Sequence, residues 1–142
     1  MQMANYDSCA RTNYFHVTDE DKFMDLLENH IVGEDNILDF SKLAEDGSKV
    51  FGFGCYGSID GYVENKFEED ADADYGKMIK EIQKLLPDGE CFVLVNSGHE
   101  KLRYVSGGAV FAANKEVRYH ALLDWVESQA KELGTDNFMP AY

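Results

Sequence analysis

The apolar residues of this chain change period from two to 3.6 and back in an order that leaves few folds open. Three stretches carry helical spacing, the first two standing singly between stretches that read as strands and the third following the last of them. ARTNYFHV (10–17), rich in aromatic and β-branched residues, predicts a strand. Thr18, three residues before Asp21, marks a capping-box-like start, and Phe23, Leu26, Leu27 and Ile31 form the stripe of a helix that Gly33 stops. NILDFSKL (36–43) and KVFGFGCYG (49–57) read as extended segments joined at Asp46-Gly47, a hairpin dipeptide. Tyr75, Met78, Ile79, Ile82, Leu85 and Leu86 predict a second helix, ended by Pro87-Asp88-Gly89. CFVLVN (91–96), apolar almost throughout, reads as a buried strand. Residues 102–113 read as a long strand bent at Gly107-Gly108, followed by a turn at Asn114-Lys115-Glu116 and a short strand over 117–120. Leu122, Leu123, Val126, Ala130 and Leu133 mark a last helix that Gly134 closes. Helices that come singly between hairpins predict one α+β domain, residues 1–142, with a mainly antiparallel sheet and about three helices packed on it. The termini, 1–8 and 135–142, are expected to fray, or to dock through Phe138, Met139 and Tyr142.

At 142 residues, 44% of them hydrophobic and only two of them proline, the chain has the material for a packed core. Cys9, Cys55 and Cys91 are an odd number and lie far apart, which suggests neither a disulfide framework nor a zinc site. No basic start leads into an apolar run, and no stretch is long enough to span a bilayer, so the expected location is the cytoplasm.

Charge is the strongest compositional feature. The formal net charge is −14, and residues 1–98 carry 21 acidic against 8 basic side chains while residues 99–142 carry 6 against 5. Nucleic-acid binding depends on Lys and Arg neutralising phosphates, so direct binding of nucleic acid is not expected, and basic protein partners are. No membrane association is expected, and a homodimer is an open possibility.

Gly52, Gly54 and Gly57 have the spacing G-x-G-x-x-G, but SIDGYVENKFEED follows where a dinucleotide site needs a helix to receive the pyrophosphate. Period-two alternation explains the glycines more simply: Phe51, Phe53 and Cys55 take one face, and the bare face admits a helix or an aromatic ring. No cofactor is expected. Asp70, Asp72, Asp74 and Glu81 occupy positions 1, 3, 5 and 12 of an EF-hand loop, but position 6 is Tyr75 rather than Gly. The simpler reading is an acidic helix start with Asp74 as a cap. From 60 to 74 stand seven carboxylates, Asp60, Glu64, Glu68, Glu69, Asp70, Asp72 and Asp74, against one Lys66. If extended, Asp70, Asp72 and Asp74 project on one side at intervals of roughly 6.6 Å, a row able to imitate a nucleic-acid backbone.

His16, His30, His99 and His120 have no metal-ligand spacing. SGHE (97–100) reads as a turn with a partly exposed His, although His99, Glu100 and Arg103 are also the residues around which a small enzyme's site would be built. Lys101, Arg103, Lys115 and Arg118, near Tyr104 and Tyr119, form either an anion patch or surface pairs with the acidic half.

ARTNYF (10–15) with TDEDKF (18–23), and EKLRYVSGGAV (100–110), resemble blocks of a loose group of small proteins encoded by phages, plasmids and integrative elements of gut bacteria. The resemblance implies an accessory inhibitor of host defence, with acidic members occupying the nucleic-acid channel of a restriction or CRISPR effector. The expectation is a non-enzymatic, acidic nucleic-acid mimic, anti-CRISPR or anti-restriction, whose partner-binding residues are the seven carboxylates from Asp60 to Asp74. The alternatives are the small enzyme and an oligomerising accessory domain of a mobile element.

Overall fold

The computed structural model describes residues 7–68 and 71–135. Six strands, all antiparallel to their neighbours, form one sheet in the order β10-β9-β8-β1-β6-β3. These are β1 (Asp7–Thr12), β3 (Leu38–Asp39), β6 (Phe53–Tyr56), β8 (Phe92–Glu100), β9 (Arg103–Ala113) and β10 (Glu116–Ala121). Two small ribbons pair β2 (Ile31–Gly33) with β7 (Ile59–Tyr62) and β4 (Lys42–Leu43) with β5 (Lys49–Val50). The helices are α1 (Glu20–Asn29), α2 (Tyr75–Gln83) and α3 (Leu122–Glu132), and the result is the mainly antiparallel α+β domain that the periodicities predict.

One face of the sheet carries the core. Register puts Ala10 opposite Cys55, Thr12 opposite Leu94, Leu94 opposite Val110 and Phe92 opposite Ala112, and all of these side chains are buried. α1 adds Phe23, Leu26 and Leu27, and α2 adds Met78, Ile79 and Ile82. Phenylalanine rings knit the layers: Phe15 meets Phe23 at 5.5 Å and Phe92 at 5.3 Å, and Phe23 meets Phe51 at 5.0 Å. Thr12 is the buried polar residue of this layer; its Oγ1 accepts from the Phe53 amide at 2.9 Å and donates to the Asn13 carbonyl at 2.8 Å.

Several boundaries differ from the sequence reading. The helix cap is Asp19, whose side chain accepts from the Lys22 amide, and not Thr18; α1 ends at Asn29, so Ile31 and Gly33 belong to β2. The 91–96 run is not buried on both sides. Phe92 and Leu94 face the core, but Val95 is 52% exposed, because no helix among the described residues covers the second face there. The strand also runs on to Glu100, so 97–100 is not a turn. Pairing is continuous through Gly107 and Gly108, and the register slips between Gly98 and Glu100 instead. Most residues expected to fray lie outside those described, but Asp7 and Ser8 pair with His99 and Gly98.

Candidate partner-binding surface

The acidic stretch is a loop pinned at its base. β7 carries Asp60 outward, and the chain then leaves the ribbon and returns at Asp74, where Tyr62 and Asp74 exchange both backbone hydrogen bonds at 2.9 Å. Gly61 permits this closure: its φ is +134°, and a Cβ there would stand 2.6 Å from the Asp74 carbonyl carbon and the Tyr75 amide nitrogen. Lys66 holds the loop to α1, its ammonium donating to the Glu28 carbonyl at 3.2 Å at the helix C-terminus. Partial burial holds that ammonium below the ordinary lysine range.

The carboxylates divide by what they touch. Asp74 caps α2, accepting from the Lys77 amide at 2.9 Å. Glu64 pairs with the Lys77 ammonium at 2.9 Å, and that hydrogen bond holds its carboxyl below the usual range. Asp60 accepts from the Ser58 hydroxyl at 3.0 Å. Glu68 and Asp72 are exposed, and among the described residues nothing pairs with them. Glu69 and Asp70 lie outside the described residues. Asp70, the first of the row of Asp70, Asp72 and Asp74, lies outside the described residues; Asp74 is extended, but its carboxylate is engaged by the helix it caps. The loop's neighbourhood is acidic as well: α1 exposes Glu20, Asp21, Asp25 and Glu28 against Lys22.

Gly52 and Gly54 turn out to be a seat for aromatic rings. A Cβ on Gly52 would lie 3.2 Å from the Tyr14 ring, and one on Gly54 would lie 2.8 Å from the Ala10 carbonyl and 3.0 Å from the Phe40 ring. Arg11 stacks over Phe40 at 4.2 Å and donates to the Tyr14 hydroxyl at 2.9 Å, while the Lys42 ammonium stands 4.4 Å from the Tyr14 ring. The aromatic ring expected on the bare face is present, as Tyr14 and Phe40, while the cation stacked on them was not foreseen. The available signal was Arg11, which alternates with the inward Ala10 and Thr12. Beyond Arg11 this second face continues through Val95 and Phe111, the latter 44% exposed.

The residues of the small-enzyme reading sit on an exposed hairpin tip. Glu100 pairs across the tip with Arg103, His99 Nδ1 is 3.1 Å from the Lys101 carbonyl, and Arg103 donates to the Tyr104 hydroxyl at 3.0 Å. Lys101 and Tyr104 both adopt left-handed φ, 54° and 52°, so the tip is strained. The four basic residues do not converge. Lys101 precedes β9 and Lys115 follows it, about 35 Å apart along the strand, and Arg118 is bound by Glu116 at 3.0 Å. Among the described residues no three His, Cys, Asp or Glu side chains gather as metal ligands, and no helix is long and apolar enough to cross a membrane. Cys55 is buried, which pushes its thiol up, and Cys9 is exposed. No family model, curated protein or solved structure matches the chain.

Proposed function

We propose that the chain is a non-enzymatic binding protein whose acidic helical side docks on a cationic groove of a nucleic-acid-handling effector, in the manner of an anti-CRISPR or anti-restriction inhibitor. The observation that carries this reading is the pinned loop. Its base is fixed by backbone pairing and by Lys66, while Glu68 and Asp72 are exposed and no cation among the described residues pairs with them. A charged loop fixed at its base loses less entropy on docking than a free segment, and its negative field steers a basic partner toward it.

The structure also selects the variant that tests the idea. Glu64 and Asp74 serve the fold and stay unchanged, and the test chain carries Glu68→Gln, Glu69→Gln, Asp70→Asn and Asp72→Asn. In pull-downs against restriction and CRISPR nucleases, binding is expected to weaken by about tenfold or more in this chain, and to weaken with salt in the parent chain. Binding that the four substitutions leave unchanged overturns the reading.

A further inference from the structure

Beyond α1 and α2 the core face of the sheet continues as the floor of a cleft of about 490 Å³, within the size range of small-ligand sites. The floor is apolar, formed by Ala10, Leu94 and Val110. Tyr75, at the start of α2, and Tyr119, on β10, bring two phenol rings to the cleft. Burial raises the Tyr75 phenol above the ordinary tyrosine range, and the Tyr119 phenol is close enough to raise it further. Carboxylates arrive from two separate elements: Glu34, just after β2, and Asp124, in the first turn of α3.

Among the described residues the lining contains no Lys or Arg, and its one basic side chain is His120. Glu34 and Asp124, like the Asn96 amide and both phenols, make no side-chain hydrogen bond or ion pair among the described residues. Two further features sharpen the charge. Ala121 caps α3 without a side-chain acceptor, so the helix N-terminus favours an anion, and Asp124 already supplies it. Glu34 is held in place from below, since a Cβ on Gly57 would lie 2.7 Å from the Glu34 Cβ. The cleft thus joins an apolar floor, two aromatic rings and two carboxylates that no Lys or Arg among the described residues pairs with.

We propose that this cleft binds an alkylguanidinium or alkylammonium group, its aliphatic stem on the Ala10–Leu94–Val110 floor, its cationic head held by Glu34 and Asp124 beside the Tyr75 and Tyr119 rings. Long basic side chains bind in this way, with the stem on apolar surface and the charge at a polar rim, and phenol rings attract such a head through their faces. The group can come from a free amine or from an arginine or lysine side chain of another protein. The site stands apart from the described part of the docking loop, because neither Glu68 nor Asp72 lines it.

The test is an amide NMR titration of the full chain with n-butylguanidinium and n-butylammonium, with n-butanol and butyrate as neutral and anionic controls. A second arm uses a capped Gly-Gly-Arg-Gly-Gly peptide. The expected result is saturable shifts centred on Tyr75, Asn96 and Gly108 with the cations alone, and affinity about tenfold lower in a Glu34→Gln, Asp124→Asn chain whose other resonances are unmoved. A Glu68→Gln, Asp72→Asn chain should bind the cations as the parent does, which separates this site from the docking loop. Shifts with both cation and peptide identify a side-chain acceptor, and shifts with the free cation alone identify a small-amine site; either supports the proposal. No saturable shift in either arm, equal shifts with n-butanol, or an unaffected double variant overturns it.

Discussion

α2 and α3 carry apolar residues at the same helical spacing and meet different ends. α2 buries Met78, Ile79 and Ile82 against the core and begins at Asp74, whose carboxylate caps it. α3 buries nothing among the described residues, begins at Ala121 without a side-chain cap, and leaves Leu122 52% and Trp125 51% exposed. Its neighbours are β9, where Leu122 Cδ1 comes within 2.8 Å of a Cβ built on Gly107, and His120, whose ring lies 6.3 Å from that of Trp125. Helical periodicity shows that an apolar stripe exists; it does not show what covers it. For α2 the cover is the sheet, and for α3 only a fraction of the stripe finds any.

The largest expected effect breaks this comparison if it fails. Ile82→Ala removes a fully buried side chain between α2 and the sheet and should cost about 2–5 kcal/mol in urea unfolding. Trp125→Ala on α3 should cost less than about 1 kcal/mol in a dilute monomer, despite deleting the larger side chain. A loss at Trp125 that rises with protein concentration would mean that a second copy covers α3, sharpening the contrast into one between a folding surface and an assembly surface.

The caps give a smaller and opposed pair of effects. Asp74→Ala should cost about 1 kcal/mol, because the Lys77 amide loses its acceptor at the start of a helix that is part of the core. Ala121→Ser supplies an acceptor where α3 has none and should slow amide exchange in the first turn of α3, with a global gain below about 1 kcal/mol. If Asp74→Ala is silent in unfolding, α2 owes its position to burial alone.

The same contrast accounts for what the sequence disclosed. The fold class, the Asp74 cap and the Asp46-Gly47 hairpin were legible because each rests on local chemistry: period, side-chain acceptors, and a glycine at φ +84°. Thr18 misled because Asp19 beside it is an equally good acceptor, and only backbone geometry chooses between neighbours. The open face at Val95 was hidden because CFVLVN is apolar on both sides, and periodicity cannot show that one side lacks a helix. The cleft was the least legible, since Glu34, Tyr75, Asn96, Tyr119 and Asp124 are scattered along the chain and meet only through strand order.

The smallest effect concerns how the α2 side of the molecule is tied together. Glu90, before β8, accepts from the His16 amide and from His16 Nδ1, both at 2.8 Å, and His16 Nε2 meets the Ser48 hydroxyl at 2.8 Å. Ser48 in turn donates to Asp46 at 2.6 Å, so one chain of contacts joins the lead into α1, the β4–β5 hairpin and the lead into β8. The His16 amide and ring hold the Glu90 carboxyl below the usual range, and the Ser48 hydroxyl and amide do the same for Asp46. A carboxyl depressed in the folded state binds its proton more readily when unfolded, so its contribution is complete above the unfolded value of about 4.3 for Glu and is lost as pH falls through the folded value. Unfolding followed from pH 7 downward should show stability declining below about pH 5, and Glu90→Gln should flatten part of that decline while changing stability at pH 7 by less than about 1 kcal/mol, because the pair is partly exposed. An identical acid limb in the Glu90→Gln chain would show that the contact with His16 does not couple to folding, and would leave burial under α1 and α2 as what holds this half together.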